Sequence, residues 1–361
     1  MAPAKPARNT AIDAYRGFVM LLMMAEVLRL SHVAEAHPAN ALLAALAWNQ
    51  SHVAWAGCSL HDTIQPGFSF LVGAALPYSI GARIARGETL RSTFPHAFRR
   101  SLLLVCLGLF LRSIDKPITY FTFEDTLSQI GLGYPLLFLL GWADEKWQYR
   151  ALGAILIAYW AAWALYPIDP ASAPFTGFAA HWNKHANLGN AFDQWFLNLF
   201  PRAKPFVNNG GGYLTLSFIP TLATMIFGLI AGRWSRANAP ARRFLYSAAA
   251  CIALGAILHY SGINPIVKRI WTPAWALFSG GVCFLFLIAF TYLQKGTFVL
   301  LVIGANSIAA YLMAHLFERF LFSSIHTHLG RWGDPWEGAL VLAVFWLMLW
   351  WMYRRKIFVR V

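Results

Sequence analysis

Stretches of about 20 apolar residues, broken by short polar segments, recur along the whole chain. That length lets an α-helix cross the hydrocarbon core of a bilayer. Ten such windows are read, at roughly 12–30, 62–82, 96–113, 126–143, 149–166, 213–232, 243–260, 274–294, 297–319 and 336–354. Lys and Arg then set the orientation, because they accumulate in cytoplasmic loops. Lys5 and Arg8 precede the first window, and Arg83, Arg86, Arg91, Arg99 and Arg100 separate the second from the third. Lys146 and Arg150 follow the fourth, Arg233, Arg236, Arg242 and Arg243 follow the sixth, and Arg354, Arg355, Lys356 and Arg360 end the chain. With ten windows all of these fall on one face. The opposite face carries fewer: Lys116, Lys184, Arg202, Lys204, Lys268, Arg269 and Arg331. The expectation is an all-α polytopic membrane protein, a single transmembrane domain over 1–361 with about ten helices, both termini cytoplasmic and His52 extracytoplasmic.

Composition supports the class. At 361 residues, 58% hydrophobic and only 12% charged, the chain is far more apolar than a soluble domain. Its net charge of +14 raises nucleic acid as a partner, but the basic residues are scattered among short loops and form no stripe on a soluble face. Membrane lipid is the expected environment and nucleic acid is not a partner. Cys106, Cys251 and Cys283 lie in apolar runs and Cys58 in a loop, a pattern that fits no disulfide framework and no CxxC site. Met1 to Thr10 is short and polar, and the first apolar run lacks a small-residue cleavage site, so the first helix is expected to stay in the mature protein. Short tails without a transit peptide point to a bacterial inner membrane. A homodimer is an open arrangement on which the sequence is silent.

Two outer loops stand out. Residues 31–61 carry His32, His37, Trp48, Asn49, His52 and Trp55, with an Ala/Leu-rich patch at 39–48 that predicts a short interfacial helix. Residues 167–212 are rich in Asn, Pro, Gly and aromatics, including HWNKHANLGN and FVNNGGGY. Sugar rings stack on aromatics and accept hydrogen bonds from amides, so a carbohydrate suits these loops; an aromatic belt with a plain connection is the alternative.

The densest chemistry lies in SHVAWAGCSLHDTIQPGFSFLVG, 51–73. Polar residues inside a lipid-embedded stretch cost free energy and mark functional sites by default. An imidazole at His52 is suited to take a proton from an attacking amine or hydroxyl at neutral pH, a role worth about 10²- to 10⁴-fold in rate. Its bland reading is an inert loop histidine. Asp62 and Glu26 are the carboxylates able to orient that base or hold a substrate ammonium. Asp62 also suits a helix N-cap. Asn306 and Ser307, inside the ninth window, could donate to a carbonyl of a bound donor or make interhelical bonds. Metal ligation is not expected, since His32, His37, His52 and His61 show no HxxxH or HExxH spacing.

Seven blocks taken in order, DAYRGFVMLLMMAE, HVAWAGCSLHDTIQPGFSFLVGAALPYSI, LSQIGLGY, NAFDQWFLN, LTLSFIPTLATMIFGLIAGRW, INPIVKRIWTPAWALFSGG and IGANSIAAY, resemble the transmembrane acyltransferases of the heparan-alpha-glucosaminide N-acetyltransferase type and their bacterial relatives. The resemblance implies acetyl-CoA as cytoplasmic donor and the amine of a glucosamine-type sugar or glycan as acceptor on the far side. It makes His52 the catalytic histidine, with Asp62, Trp55 and Pro66 matching the pattern beside it. It matches Asp193 to an outer-loop aspartate, Lys268, Trp271 and Thr272 to a K-x-x-W-T block, and Asn306 to an asparagine of the ninth window. The expected site is therefore His52, Asp62 and Glu26 for catalysis; Asn306, Ser307, Lys268 and Trp271 for the donor; and Trp55, Asn49 and Asp193 for the acceptor. Three departures stand against the pattern: where relatives read L-Q-R-I-G this chain has Leu127, Ser128 and Gln129 and so lacks an arginine, Gln194 replaces another arginine, and NNGGG replaces DPEG. These bear on the acceptor more than on acyl transfer. O-acylation of a surface polysaccharide is one rival. A transporter using Glu26 and Asp62 is another, although no internal repeat is visible.

Overall fold

Each of the ten apolar windows is occupied by helix. The computed structural model describes residues 9–168, 174–293, 295–330 and 336–359, so Lys5, Arg8, Arg331 and Arg360 lie outside the described residues. In chain order the helices are α1 (Thr10–Met24), α2 (Leu30–Ala36), α3 (Ala41–Asn49), α4 (Ile64–Ile84), α5 (Leu90–Ser113), α6 (Thr126–Trp142), α7 (Glu145–Ala164) and α8 (Leu188–Phe196). There follow α9 (Phe218–Arg236), α10 (Ala241–Tyr260), α11 (Pro273–Tyr292), α12 (Phe298–Ala305), α13 (Ser307–Leu316), α14 (Glu318–Leu329) and α15 (Glu337–Arg354). Among the described residues there is no strand, only an isolated bridge between Ala56 and Val267. The protein is all-helical. Five helical stretches are long and apolar enough to cross a membrane: His61–Ile84, Leu90–Ser113, Thr215–Arg236, Ala241–Tyr260 and Pro273–Tyr292. Two bent pairs raise the number to seven if each is one span: Thr10–Leu28 with Leu30–Ala36, at 45°, and α12 with α13, at 80°. The chain is thus an integral membrane protein by the length and apolarity of its helices.

Helix starts follow the capping chemistry written in the sequence. The side chain of Asn9 accepts from the amides of Ala11 and Ile12, Asn40 from Leu42 and Leu43, and Asp125 from Leu127 and Ser128. Thr89 and Ser92 cap α5 reciprocally. The expected interfacial patch at 39–48 is α3. Three further helices, α2, α8 and α14, lie mainly in segments read as loop.

The described residues form two compact units. The first comprises Trp55–Gly57 and Ser69–Leu285, the second 9–54, Cys58–Phe68 and 286–359. In the first, α4 and α9 meet backbone to backbone. A Cβ added to Gly228 would stand 1.8 Å from the Phe70 carbonyl oxygen, one on Gly232 2.2 Å from that of Ala74, and one on Gly73 1.9 Å from that of Met225. Small residues four apart on one face allow such an approach, which gives lipid-embedded helices their van der Waals contact. Arg233 donates to the carbonyls of Gly141 and Ala143 and so satisfies the end of α6, while Arg236 donates to Pro77. These arginines therefore hold helix ends together. The aromatic core of this unit gathers Trp55, Tyr159, Trp163, Trp182, Leu214, Val267 and Ile270.

In the second unit α1 packs on α12 in the same manner. A Cβ on Gly17 would stand 1.8 Å from the Leu300 carbonyl oxygen, and one on Gly304 2.1 Å from that of Asp13. Tyr15 and Phe18 of α1 lie against Phe286 and Phe290, with ring centroids 5.4 to 5.6 Å apart. Gly338, at the start of α15, abuts the backbone of Val27.

Candidate functional site

The second unit assembles its chemistry from three short pieces: the 3-10 turn Ala25–Leu28 after α1, the loop after α3, and the 3-10 turn His61–Thr63 that leads into α4. Gln50 ties the first two pieces. Its carbonyl accepts from the Leu30 amide at 2.8 Å and its amide donates to the Ala25 carbonyl at 2.6 Å, beside Glu26. The hydroxyl of Ser59, within 2.6 Å of the Ser51 carbonyl and 3.0 Å of Asp62 Oδ2, closes the loop on itself.

Asp62 is the hub. Only 1% exposed, it accepts the amides of Val53 and Ser59 on Oδ2, at 3.3 and 3.1 Å. Oδ1 lies 2.8 Å from His52 Nδ1. Asp62 Oδ1 is an acceptor facing His52 Nδ1, a contact that is made by the Nδ1–H tautomer. The proton-accepting lone pair then belongs to Nε2. The His52 side chain is 38% exposed.

A second imidazole stands beside the first. The His61 and His52 ring centroids are 4.6 Å apart, and His61 Nε2 lies 3.1 Å from Glu26 Oε1. The His61 side chain is 6% exposed. Glu26 sits in the 3-10 turn just past Met24, at the end of the helical stretch Thr10–Leu28 and next to its bend. Two imidazole–carboxylate pairs thus lie side by side. Sequence reasoning kept His61 only as a potential metal ligand and missed this pairing. The signal was present in adjacent His61 and Asp62 at the head of a span and one carboxylate at the end of another.

The other expected residues are placed as follows. Asn49, in the same unit, uses its amide locally, accepting from Leu60 at 3.3 Å and donating to Ala45 at 3.0 Å. Asn306 sits at the break between α12 and α13. Its amide donates to the Ile357 carbonyl at 2.8 Å and accepts from the Val359 amide at 3.1 Å, holding the C-terminal segment as a strand partner would. Ser307 is the first residue of α13.

In the first unit, Trp55 is buried in the aromatic core and donates its indole N–H to the Trp182 carbonyl at 3.1 Å. Trp271 is fully buried, donates to Thr224 at 3.1 Å and has a left-handed backbone, φ 50°. Lys268 is 5% exposed. Asp193, on α8, accepts the Thr215 amide at 3.0 Å on one oxygen and has no hydrogen-bond partner on the other. Burial pushes its carboxyl up to about 6, against the pull of Thr215 and Arg202. Among the described residues no three His, Cys, Asp or Glu side chains are grouped as a metal ion would need.

No protein-family model matches the chain, and no curated protein matches it.

Proposed function

We propose that the protein is a transmembrane acetyltransferase that moves an acetyl group from cytoplasmic acetyl-CoA to the amine of a glucosamine-type sugar on the opposite face. The observation that carries the reading is the His52–Asp62 pair, with the enclosed Asp62 accepting two backbone amides and a His52 side chain that is 38% exposed. That is the geometry of a general base whose tautomer is fixed by a buried carboxylate. The seven sequence blocks resembling the heparan-alpha-glucosaminide N-acetyltransferase type supply the donor and the acceptor class. In this reading all ten helical windows cross a bacterial inner membrane, both termini are cytoplasmic and His52 faces outward. The basic segment 83–100 then faces the compartment that holds CoA, whose phosphates it would attract.

His52 Nε2 takes a proton from the acceptor amine as its nitrogen attacks the thioester carbonyl. Asp62 stabilises the imidazolium that forms. Of the residues expected to hold the donor, Asn306 has its amide engaged by the C-terminal segment, so a contact there requires that segment to move.

The test is transfer from radiolabelled acetyl-CoA to glucosamine and to N-acetylglucosamine as control, by purified protein and by the His52→Ala variant. Labelling of the amine that the variant loses is the expected result. Labelling of neither sugar at any protein concentration would sink the reading. A second reading, transport, draws support from the 80° break at Asn306, because broken helices build substrate sites in secondary transporters. Uptake of amino sugar into vesicles free of acyl donor would favour it.

A further inference from the structure

We propose that His61, held by Glu26, is a second acid–base residue, the one that gives the departing thiolate its proton. The inference rests on the acetyltransferase reading and goes beyond it, since nothing in that reading assigns His61 a role. Three observations lead to it.

The first is duplication. An imidazole held by a carboxylate at 2.8 Å stands against another held at 3.1 Å, with ring centroids 4.6 Å apart. Maintaining two paired imidazoles in one place is costly if only one acts, since adjacent cations repel and each carboxylate must be kept ionised. The arrangement is suited to one proton shared by two rings.

The second is the difference between the two carboxylates. Asp62 has its charge spread over backbone amides as well as over His52. Glu26 meets His61 through Oε1 at 3.1 Å from a side chain that is 54% exposed, where Asp62 is enclosed. The two pairs are therefore unlike, and the acid role falls to His61. His52, its Nδ1–H given to Asp62, is the ring left as base.

The third is exposure. His52 at 38% meets an acceptor arriving from solvent, whereas His61 at 6% is turned into the protein. A base on the open side and an acid on the enclosed side match a reaction whose two substrates come from opposite directions.

The step balances without another reagent. The acceptor nitrogen bonds to the carbonyl carbon, and its proton passes to His52 Nε2. The C–S bond breaks and the sulfur takes the proton held by His61. The pair keeps one proton throughout, and its passage from His52 to His61 restores the starting state.

A leaving-group comparison tests the assignment. A thiolate of low basicity departs without a proton, so the acid becomes dispensable, while the base does not. With acetyl-CoA, His61→Asn should lose about 10²-fold in kcat. With 4-nitrophenyl thioacetate as donor to the same amine, the loss should shrink to less than about threefold, whereas His52→Asn should remain impaired with both donors. Glu26→Gln should follow His61→Asn, and its milder change guards against a variant that fails to fold. Equal losses with the two donors for both His61→Asn and Glu26→Gln would overturn the proposal, leaving the transferase reading intact. Wild-type protein that turns over neither donor removes both together.

Discussion

Replacing Asp62 by Asn tests the hub with almost no change in shape. The wild-type carboxylate accepts from two backbone amides at 3.3 and 3.1 Å and from His52 Nδ1 at 2.8 Å. An Asn side chain has one acceptor, so its NH2 must face one set of donors. Turned to the loop, it confronts the Val53 and Ser59 amides, and each buried donor left unmet costs about 1–3 kcal/mol. Turned to His52, it needs an acceptor at Nδ1, which the ring provides by moving its proton to Nε2. The second arrangement is cheaper. The variant should therefore fold, with a melting temperature lower by a few degrees for a loss of about 1–2 kcal/mol in charge-assisted bonding. Its base is the wrong tautomer, a fault that costs about 10⁴-fold where a carboxylate orients a catalytic histidine. Acetyl transfer by the variant should fall by about 10³- to 10⁴-fold, and nitrogen NMR of histidine-labelled protein should show the His52 proton moved from Nδ1 to Nε2. Activity within about threefold of wild type, or a wild-type ring already protonated on Nε2, would refute the reasoning.

Three other outcomes are expected. Gly228→Val drives a side chain into the Phe70 carbonyl 1.8 Å away, so the α4–α9 seam must open; overpacking costs about 1–3 kcal/mol, and a clear fall in melting temperature in detergent should result. Gly153→Val on α7, with nothing within 4 Å, is the matched control and should melt near wild type; equal behaviour of the two contradicts the seam. Asp193, raised from 3.8 to about 6 mainly by burial, is bound to its proton more tightly in the folded than in the unfolded chain. Its contribution is fully present below the unfolded value and is lost as pH rises through about 6, a swing of roughly 3 kcal/mol. Between pH 7 and 4 the melting curves of wild type and Asp193→Asn should therefore diverge, wild type gaining relative to the variant on acidification; parallel curves would count against it. Asn306→Ala removes both bonds to the C-terminal segment, and carboxypeptidase followed by intact-mass measurement should trim the variant faster than wild type.

Much of this fold is visible in the sequence, because lipid makes helix length and apolarity nearly sufficient information. Asn9, Asn40, Thr89 and Asp125 mark helix starts that capping chemistry explains. The failures have physical causes. The window 297–319 reads as one continuous span, since Asn306 and Ser307 are two polar residues in an apolar run; the 80° break depends on a partner about fifty residues downstream. The helix α14, ERFLFSSIHTHL, is too polar for a hydropathy window and lacks a strong cap. His52 and Asp62 are legible as neighbours, ten residues apart around the head of a span. The pairing of His61 with Glu26 is not, because it is made only when the turn after α1 is brought to the turn before α4. Trp55 shows the converse: an aromatic that invites a sugar in the sequence is enclosed by Tyr159, Trp163 and Trp182 in the structure.

The clasp of Asn306 on Ile357 and Val359 bears on how this protein is handled in the laboratory. A fluorescent protein or affinity tag fused after the last residue would hang from the broken helix, and tension on the fusion would be delivered to the 80° corner. A C-terminal fusion is therefore a mechanical perturbation of α12 and α13, and a reporter placed there would register their rearrangement directly.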